Sequence, residues 1–397
     1  MNVLLVSNLY PPYILGGAEL IASYLAEGLA AQGHRVTVVS TKGPDTPDLL
    51  EDDHGNPRVI RFFPPNRYWL FERRPRSIID KARWHLQDCW NRASGREFKR
   101  ILAEIRPDIV HTHNIDGFSP IIWRMARRFG CATIHTAHDH HSLCPRSNLM
   151  NGKGEVCLSP HPLCRIWRFH YGRRVGDLDV FSSPSRLVLE RHRDAGVRAG
   201  RMEVLANGLP LPSPMPRRPS TGELRLLMVG ALVEGKGIRV ALEAMRHLPT
   251  DARVSLDIAG QGPLEAEVRQ AAQADPRIRY HGFVSGEQKE ALFQADLLLF
   301  PALWYETMPN TIMEASARGL GVLASDQGAG QEFVDARNGL RFPVGDAKAL
   351  ADCIGIFLAD PARLDHFRTV APSTTTDFTI EAMVNRYGRL YAELVAR

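Results

Sequence analysis

Short apolar runs alternate with stretches of helical periodicity along most of the chain. Short apolar runs between turn residues are typical of strands buried in a parallel sheet, and the amphipathic stretches between them are typical of helices that cover it. The first half contains predicted strands at residues 3–7, 35–40, 108–111, 132–135 and 180–182. The second half contains predicted strands at residues 225–229, 254–259, 278–281, 296–300 and 321–324. The pattern therefore predicts an α/β protein with two parallel sheets.

Helical periodicity fills the segments between these strands. Helices are predicted at residues 18–32, 96–104, 237–248, 263–274 and 380–395. A polar, proline-rich stretch at 210–222 separates the two halves and is typical of a linker. We therefore expect one domain at residues 1–209 and a second at 210–377, each doubly wound. Such sheets bind ligands at the carboxyl ends of their strands, so we expect a cleft there.

The composition narrows the class of protein. A chain of 397 residues is long enough for two cores, and no apolar stretch approaches the roughly twenty residues that span a bilayer. The first residues predict a strand rather than a signal peptide, and six scattered cysteines suit a reducing compartment, so we expect a cytoplasmic protein. The formal net charge of +5 suits anionic diphosphates or an anionic membrane surface. It is too small to predict a nucleic-acid partner.

The most informative stretch runs from residue 300 to residue 330. A predicted strand ends there, a loop follows with Glu306, and Pro309 stands where a helix would begin. Proline is well accommodated in the first helical turn, where its missing N–H costs nothing. The amides of Asn310 and Thr311 would then be unused, and a helix N-terminus favours a diphosphate. Glu314 lies inside the helix, so two carboxylates can hold different parts of one ligand.

This stretch resembles the E-x7-E signature of family 4 of the retaining glycosyltransferases, which have the GT-B fold of two facing Rossmann-like domains. The resemblance implies that Glu306 holds the donor sugar and Glu314 holds the ribose of a nucleotide-diphosphate sugar. It implies that the amides of Asn310 and Thr311 hold the phosphates, and that Met308 and Pro309 also belong to the donor-binding residues. It also implies that the C-terminal helix, 378–397, crosses back onto the first domain.

Other segments resemble landmarks of the same family. Gly16 and Gly17 resemble its glycine-rich loop, where backbone amides can approach phosphate without a Cβ in the way. Gly230 and Lys236 belong to a segment similar to the family's G-R-L-x-x-x-K-G, in which the lysine neutralises the donor diphosphate. Ala231 stands where the family usually has arginine.

The nucleobase and the reaction centre are also assigned by resemblance. Gly282, Phe283 and Val284 resemble the segment whose backbone binds the base. His138 resembles a histidine near the donor sugar and acceptor, so the catalytic residues would be His138, Glu306 and Lys236. No carboxylate nucleophile is evident, which implies a front-face retaining mechanism. The nucleotide-diphosphate sugar is then a co-substrate, and no cofactor is required because Lys236 and amide dipoles carry the donor charge.

Three cysteines and two histidines form the cluster that could bind zinc. Cys144, Cys157 and Cys164 lie near His141 and His161 in the sequence. They have no CxxC spacing, which zinc sites usually have, so the alternative is a loop with reduced thiols.

The segment 62–90 mixes cationic and aromatic residues: Arg67, Arg73, Arg74, Arg76, Tyr68, Trp69, Phe71 and Trp84. Such side chains can lie at a lipid interface. The family resemblance implies a glycan, lipid-linked or small-molecule acceptor, so this segment is a hypothesis for peripheral membrane contact at the inner face of the membrane. The alternative is an excursion that packs on the first domain.

Two other functions remain open from the sequence. A nucleotide-sugar 2-epimerase has the same architecture and needs no acceptor. A non-catalytic sugar-binding protein of two Rossmann-like lobes is the second alternative, although that class is usually exported.

Overall fold

The computed structural model describes residues 1–46, 55–72, 74–151, 156–157, 159–212 and 222–396. The chain divides into two compact units. The first comprises Met1–Asn148, Leu158–Leu209 and Thr379–Arg397, and the second comprises Leu149–Cys157 and Pro210–Phe378. Most of the predicted linker, residues 213–221, lies outside the described residues.

Seven parallel strands form the centre of the first unit. They are β1 (Asn2–Val6), β2 (Arg35–Thr41), β3 (Arg58–Phe62), β4 (Ile109–Thr112), β5 (Ala132–Thr136), β6 (Val180–Ser183) and β7 (Arg201–Val204). Their order across the sheet is β3-β2-β1-β4-β5-β6-β7. The chain therefore starts in the middle of the sheet, runs to one edge and then to the other, and this doubly wound order changes direction between β1 and β4.

Six helices follow these strands along the chain. They are α1 (Ala18–Ala31), α2 (Ile78–Cys89), α3 (Arg92–Ile105), α4 (Ile121–Phe129), α5 (Pro162–Val175) and α6 (Arg186–Asp194). Side-chain caps define several of their starts. Ser77 accepts from the Asp80 amide at 3.0 Å, and Asn91 accepts from the Ser94 amide at 3.1 Å. Each cap satisfies an amide that has no partner within the helix.

Six parallel strands form the centre of the second unit. They are β8 (Leu224–Val229), β9 (Val254–Ala259), β10 (Ile278–Tyr280), β11 (Leu297–Phe300), β12 (Gly321–Ser325) and β13 (Gly339–Phe342), in the order β10-β9-β8-β11-β12-β13. The helices are α7 (Ile238–His247), α8 (Glu265–Ala274), α9 (Gly286–Leu292), α10 (Asn310–Ala317), α11 (Ala329–Phe333), α12 (Ala347–Ala359) and α13 (Arg363–Val370). Two 3₁₀ segments, Glu234–Lys236 and Ala371–Phe378, complete the unit. Both sheets are doubly wound, so the predicted fold class is confirmed.

The last helix, α14 (Ile380–Val395), belongs to the first unit and packs on α1. Two buried tyrosines attach it to the sheet. The Tyr391 hydroxyl lies 2.6 Å from His111 Nδ1, and the Tyr387 hydroxyl lies 2.7 Å from Thr136 Oγ1. The helix therefore contributes polar partners as well as apolar packing to the core of the first unit.

The predicted strands are all present, with ends that differ by at most one residue. The strands β3, β7 and β13 were not predicted. The side chains of β3 and β7 are largely half-buried, and arginines interrupt the apolar positions of all three strands, so they lack the continuous apolar run of a central strand. Helix α3 begins at Arg92, four residues before the predicted start, because Asn91 caps it there.

Replacing Tyr391 with phenylalanine is expected to lower the free energy of unfolding by about 1–3 kcal/mol, because the buried His111 Nδ1 would lose its partner. Denaturant unfolding of the full chain measures this change. The matched control is Tyr280→Phe, which removes a hydroxyl bonded to the Gly260 carbonyl at a half-buried position. We expect a smaller loss there, because water can replace the bond; equal losses would contradict the role of Tyr391.

Candidate functional site

An ion pair joins two loops at the carboxyl ends of neighbouring strands in the second unit. Lys236 lies in the 3₁₀ segment after β8, and Glu306 lies in the loop after β11. Lys236 Nζ contacts Glu306 Oε1, and the indole N–H of Trp304 donates to the same oxygen. The side chains of Lys236 and Glu306 are 24% and 15% exposed. The two residues predicted to hold the diphosphate and the donor sugar are therefore in direct contact.

Two glycines make this close approach possible. A Cβ at Gly235 would lie 2.3 Å from the ring of Trp304, which no side chain could tolerate. Gly237 has a φ of +72°, and a Cβ there would lie 1.8 Å from the carbonyl oxygen of Pro301. The Leu303 amide also donates to the Gly235 carbonyl at 2.8 Å. Glycine is required because the backbone of one loop passes directly over the other.

Aromatic walls surround the lysine. Lys236 Nζ lies 5.6 Å from the ring centroid of Trp304 and 5.7 Å from that of Phe300. Rings at these distances attract a cation and reduce its contact with water. Lys236 is therefore a partly desolvated cation that interacts strongly with a nearby anion.

Helix α10 begins four residues after Glu306 and offers unused amides at its start. The sequence placed Pro309 in the first helical turn, but in the structure it is the N-cap, and the helix begins at Asn310. Within the described part of the chain, no acceptor pairs with the amides of Asn310 and Thr311, whereas the Ile312 amide donates to the Pro309 carbonyl at 3.1 Å. Helix N-termini with such amides bind anions.

The second glutamate has a lysine of its own. Glu314 lies inside α10, as predicted, and its Oε2 is 2.8 Å from Nζ of Lys289 on α9. Glu306 and Glu314 therefore have different cationic partners. Sequence reasoning missed Lys289, because it comes from a separate helix with no fixed spacing to either glutamate. It also missed Trp304, although its place two residues before Glu306 was a usable signal.

The residues predicted to bind the diphosphate and the base follow β8 and β10. The Gly230 amide donates to the Ala259 carbonyl at 3.0 Å, and the Gly260 amide donates to the Gly282 carbonyl at 2.7 Å. These bonds connect the loops that follow the adjacent strands β8, β9 and β10. Phe283, next to the half-buried Val284, is 68% exposed, so its ring is accessible for stacking.

In the first unit, the side chain of a glutamate on α1 bonds to the predicted glycine-rich loop. Gly17 is the N-cap of α1, and the Gly16 amide donates to Glu19 Oε2 at 2.9 Å. Glu19 is only 4% exposed, and burial raises the pKa of its carboxyl. The Gly16 amide is thus already used by a carboxylate, which sequence reasoning did not anticipate.

His138 has a histidine partner that the sequence did not identify. His138 Nε2 lies 2.7 Å from Nδ1 of His113, and the two rings stack with centroids 5.0 Å apart. Burial lowers the pKa of His138 to about 4 and lowers that of His113 well below its ordinary value. Both imidazoles are therefore neutral near pH 7. The available signal was the position of His113 directly after β4, at the carboxyl end of the sheet.

The cysteines are not grouped as a metal site in the structure. Among the described residues, no three His, Cys, Asp or Glu side chains are arranged to hold a metal ion. Cys144 is buried, while Cys157 and Cys164 are half-buried, and none of them forms a disulfide.

Two aromatic residues of the segment 62–90, Trp69 and Trp84, pack inward, which corrects the hypothesis that these two rings face lipid. Trp69 and Trp84 are 6% and 1% exposed. The Trp69 indole donates to Thr41 Oγ1 at 2.8 Å, and the Trp84 indole donates to the Tyr68 carbonyl at 3.1 Å. These bonds fix both rings in the interior of the unit.

The cations of the same segment are only partly described. Arg76 pairs with Glu72 at 3.2 Å and lies over the Tyr68 ring, whereas Arg73 lies outside the described residues. Within the described part of the chain, no helix combines the length and apolar character needed to cross a bilayer.

The chain matches two family models. One is described as Glycosyltransferase Family 4 and covers residues 15–211, and the other is described as Glycosyl transferases group 1 and covers residues 223–360.

Similarity to individual proteins extends over most of the chain. The O-antigen chain mannosyltransferase C of Escherichia coli is 29% identical, over 98% of this chain and 99% of that protein. Glycogen synthase of Mycobacterium tuberculosis is 26% identical, over 98% of this chain and 94% of that protein. An uncharacterised 42.6 kDa protein in the cps region of Klebsiella pneumoniae is 26% identical, over 83% of this chain and 86% of that protein.

Solved structures share the fold at lower identity. Sucrose-phosphate synthase from Thermosynechococcus elongatus has a TM-score of 0.77 and 22% identity, and 99% of each chain is covered. HepE of Anabaena, solved in complex with UDP-glucose, has a TM-score of 0.69 and 16% identity, over 98% of this chain and 99% of that one. These likenesses confirm the predicted GT-B class of fold.

Acidification is expected to destabilise the first unit through its buried histidines. Burial lowers the pKa of His138 and of His192 to about 4, below the value of about 6.5 in an unfolded chain. Between these values the unfolded chain binds a proton that the folded imidazole does not. The free energy of unfolding therefore falls as the pH falls from about 6.5 towards 4, by about 2 kcal/mol per histidine at pH 5.

Buried carboxyls of the first unit act in the opposite direction, and Glu19, whose pKa burial raises, is one of them. Burial raises the pKa of Asp139 to about 6 and raises that of Asp88, so the folded chain binds their protons more tightly. We expect a net loss, because burial also lowers the pKa of His111, His113 and His135. Calorimetry between about pH 7.5 and pH 5 tests this. A melting temperature that rises on acidification would contradict it, and His192→Gln should flatten the pH dependence.

Proposed function

The chain belongs to glycosyltransferase family 4, and we propose that it transfers a hexose from a nucleotide-diphosphate sugar with retention of the anomeric configuration. The observation that carries this proposal is the contact between Lys236 and Glu306, next to the unused amides at the start of α10. A cation, two backbone donors and a carboxylate together match a diphosphate attached to a sugar.

Each group has a separate task in donor binding. Lys236 and the amides of Asn310 and Thr311 would bind the diphosphate, whose negative charge grows as it departs. Glu306 would accept hydroxyls of the sugar, and Glu314 would accept those of the ribose. Lys236 is partly exposed, so an incoming phosphate can share it with Glu306 without breaking a fully buried pair.

The segment proposed to bind the base, and the groups that balance the charge of the diphosphate, are the remaining parts of the proposed donor site. Gly282, Phe283 and Val284 would contact the nucleobase, and Gly230 would approach the diphosphate. Because Lys236 and the amides supply the counter-charge, the proposal requires no divalent ion. HepE was solved with UDP-glucose, which supports a nucleotide sugar as the donor class.

The proposed transfer step uses the acceptor hydroxyl, the departing diphosphate and His138. The acceptor hydroxyl forms its bond to the anomeric carbon on the face from which the diphosphate leaves. The bond between that carbon and the diphosphate oxygen breaks, and the departing phosphate takes the acceptor proton. Neutral His138, held by His113, would orient the acceptor hydroxyl by a hydrogen bond rather than by charge.

We assign donor binding to residues 210–377 and acceptor binding to residues 1–209 with the helix 378–397. A glycan or lipid-linked acceptor is proposed, because relatives are named for O-antigen and for a cps region. Peripheral contact with a membrane is part of this proposal, since a lipid-linked acceptor is presented at a membrane surface.

Replacing Lys236 with alanine is expected to lower kcat by about 10²–10³-fold, because a cation that stabilises the departing diphosphate is lost. Glu306→Gln should lower turnover as well. The measurement is acceptor-dependent release of nucleoside diphosphate, with the donor chosen from UDP-, GDP- and ADP-hexoses by thermal shift. Release without acceptor-derived product would favour an epimerase instead.

The matched control is Lys348→Ala, which breaks an exposed lysine–carboxylate pair with Asp352. We expect unchanged turnover there. A Lys236→Ala enzyme that folds and turns over at the wild-type rate would refute the proposed role.

The stereochemistry is tested separately by NMR of the first-formed product. Retention predicts that the anomeric proton of the product has the configuration of the donor. An inverted product would exclude the front-face mechanism but leave donor binding intact.

A further inference from the structure

Large apolar side chains are exposed on two helices of the first unit that contact each other. On α2 they are Ile78, Ile79 and Leu86, which are 63–86% exposed, and on α5 they are Leu163, Ile166 and Phe169, which are 64–68% exposed. Scattered apolar residues need no explanation, but such a concentration on adjacent helices marks an interaction surface.

Helix α5 is apolar on two sides. Its inner side buries Trp167, Tyr171 and Val175. The three exposed apolar residues are spaced three apart, so they form a stripe on the outer side. When opposite sides of a helix are apolar, both sides are expected to pack against another apolar surface.

The charges on α5 indicate the sign of the covering partner. The helix sequence contains four arginines and no acidic residue. Arg165 and Arg173 are exposed beside the stripe, and the Arg173 guanidinium lies 5.6 Å from the Phe169 ring centroid. Arginines have aliphatic stems and cationic heads. Next to exposed apolar side chains, they suit a partner with an apolar interior and an anionic outer layer.

A pocket of about 660 Å³ lies between α3 and α4. Its cationic residues are Arg92, Arg96, Lys99 and Arg128, and its apolar lining includes Ile121, Met125 and Phe129. Among the residues that the structure describes, no carboxylate pairs with any of these four cations. The pocket therefore combines uncompensated positive charge with apolar walls, which matches a phosphate attached to a hydrocarbon chain.

The pocket and the stripe belong to one layer of helices. Helix α4 packs on α3 and on α5, and α5 packs on α2. Trp90, between α2 and α3, lies under Arg174 at 4.5 Å and Arg124 at 6.0 Å, which connects the helices through stacked cations. We call the helices α2, α3, α4 and α5 the docking layer.

We propose that the docking layer binds the surface of an anionic lipid bilayer, with a lipid phosphate in the pocket between α3 and α4. Leu163, Ile166 and Phe169 insert among the acyl chains, while the exposed arginines contact headgroups. This inference rests on the proposed function, because it would bring a glycosyltransferase to a lipid-linked acceptor. It places the contact on α2–α5 rather than on Trp69 and Trp84.

The first test removes charge from the pocket. Sedimentation with phosphatidylglycerol–phosphatidylcholine vesicles is compared with phosphatidylcholine vesicles, for the wild type and for Arg96→Ala/Lys99→Ala/Arg128→Ala. We expect binding to the anionic vesicles only, weakened on the order of 100-fold in the variant. The control Arg246→Ala/Lys348→Ala/Arg363→Ala changes the net charge equally at exposed sites of the second unit and should bind like the wild type.

The second test removes the stripe. Leu163→Ser/Ile166→Ser/Phe169→Ser should weaken vesicle binding by roughly tenfold or more, because inserted apolar area is lost. The control Val344→Ser/Ile356→Ser/Val395→Ser removes exposed apolar side chains elsewhere and should have no effect. Thermal melting verifies that each variant folds.

The outcomes separate this inference from the proposed function. Equal binding to neutral vesicles, or full binding by either docking-layer variant, would overturn lipid docking. Binding to an acidic polymer but not to vesicles would also overturn it. Donor-dependent turnover on a water-soluble acceptor should be unchanged in both variants. A wild type that binds anionic vesicles but shows no transfer activity would contradict the proposed function and leave lipid docking intact.

Discussion

The half-buried ion pair between Lys236 and Glu306 is the interaction on which the site of the second unit depends. A lysine between the rings of Trp304 and Phe300 has lost part of its hydration, so it requires a nearby counter-charge. Glu306 supplies that charge, and the Trp304 indole holds the carboxylate in place. Two loops from separate strands are thereby fixed beside the start of α10. The arrangement needs glycine at two positions, because any side chain there would push the loops apart.

The two units differ in how they present polar groups. The second unit presents charges, each carboxylate held by its own lysine. The first presents neutral imidazoles, since burial lowers the pKa of His111 to about 3 and that of His138 to about 4. A neutral imidazole both donates and accepts a hydrogen bond, which suits the orientation of an uncharged hydroxyl. In the proposed mechanism, charge stabilisation and acceptor orientation are thus tasks of chemically different groups.

Sequence reasoning succeeded where a pattern is local and continuous. The central strands are continuous apolar runs, and Glu306, Pro309 and Glu314 share one short segment, so both were predictable. The edge strands β3, β7 and β13 were missed, because arginine interrupts their apolar positions, whereas the edge strand β10 was predicted. The partners Lys289 and His113 were missed, since they reach their glutamate or histidine from other elements. Composition also could not show that Trp84 points inward, because an aromatic residue suits a core as well as an interface.

The contrast between paired and unpaired cations separates structural charges from functional ones. Arg277 is chelated by Asp275, and Arg239 bridges two glutamates, so their charges are balanced within the fold. The pairs of Arg239 are exposed and add little stability. The cations of the α3–α4 pocket have no carboxylate partner in the described chain, and their mutual repulsion is relieved only by anions from outside. An anionic ligand therefore gains more electrostatic free energy in this pocket than beside the paired arginines, and its apolar walls favour an anion that carries a hydrocarbon chain.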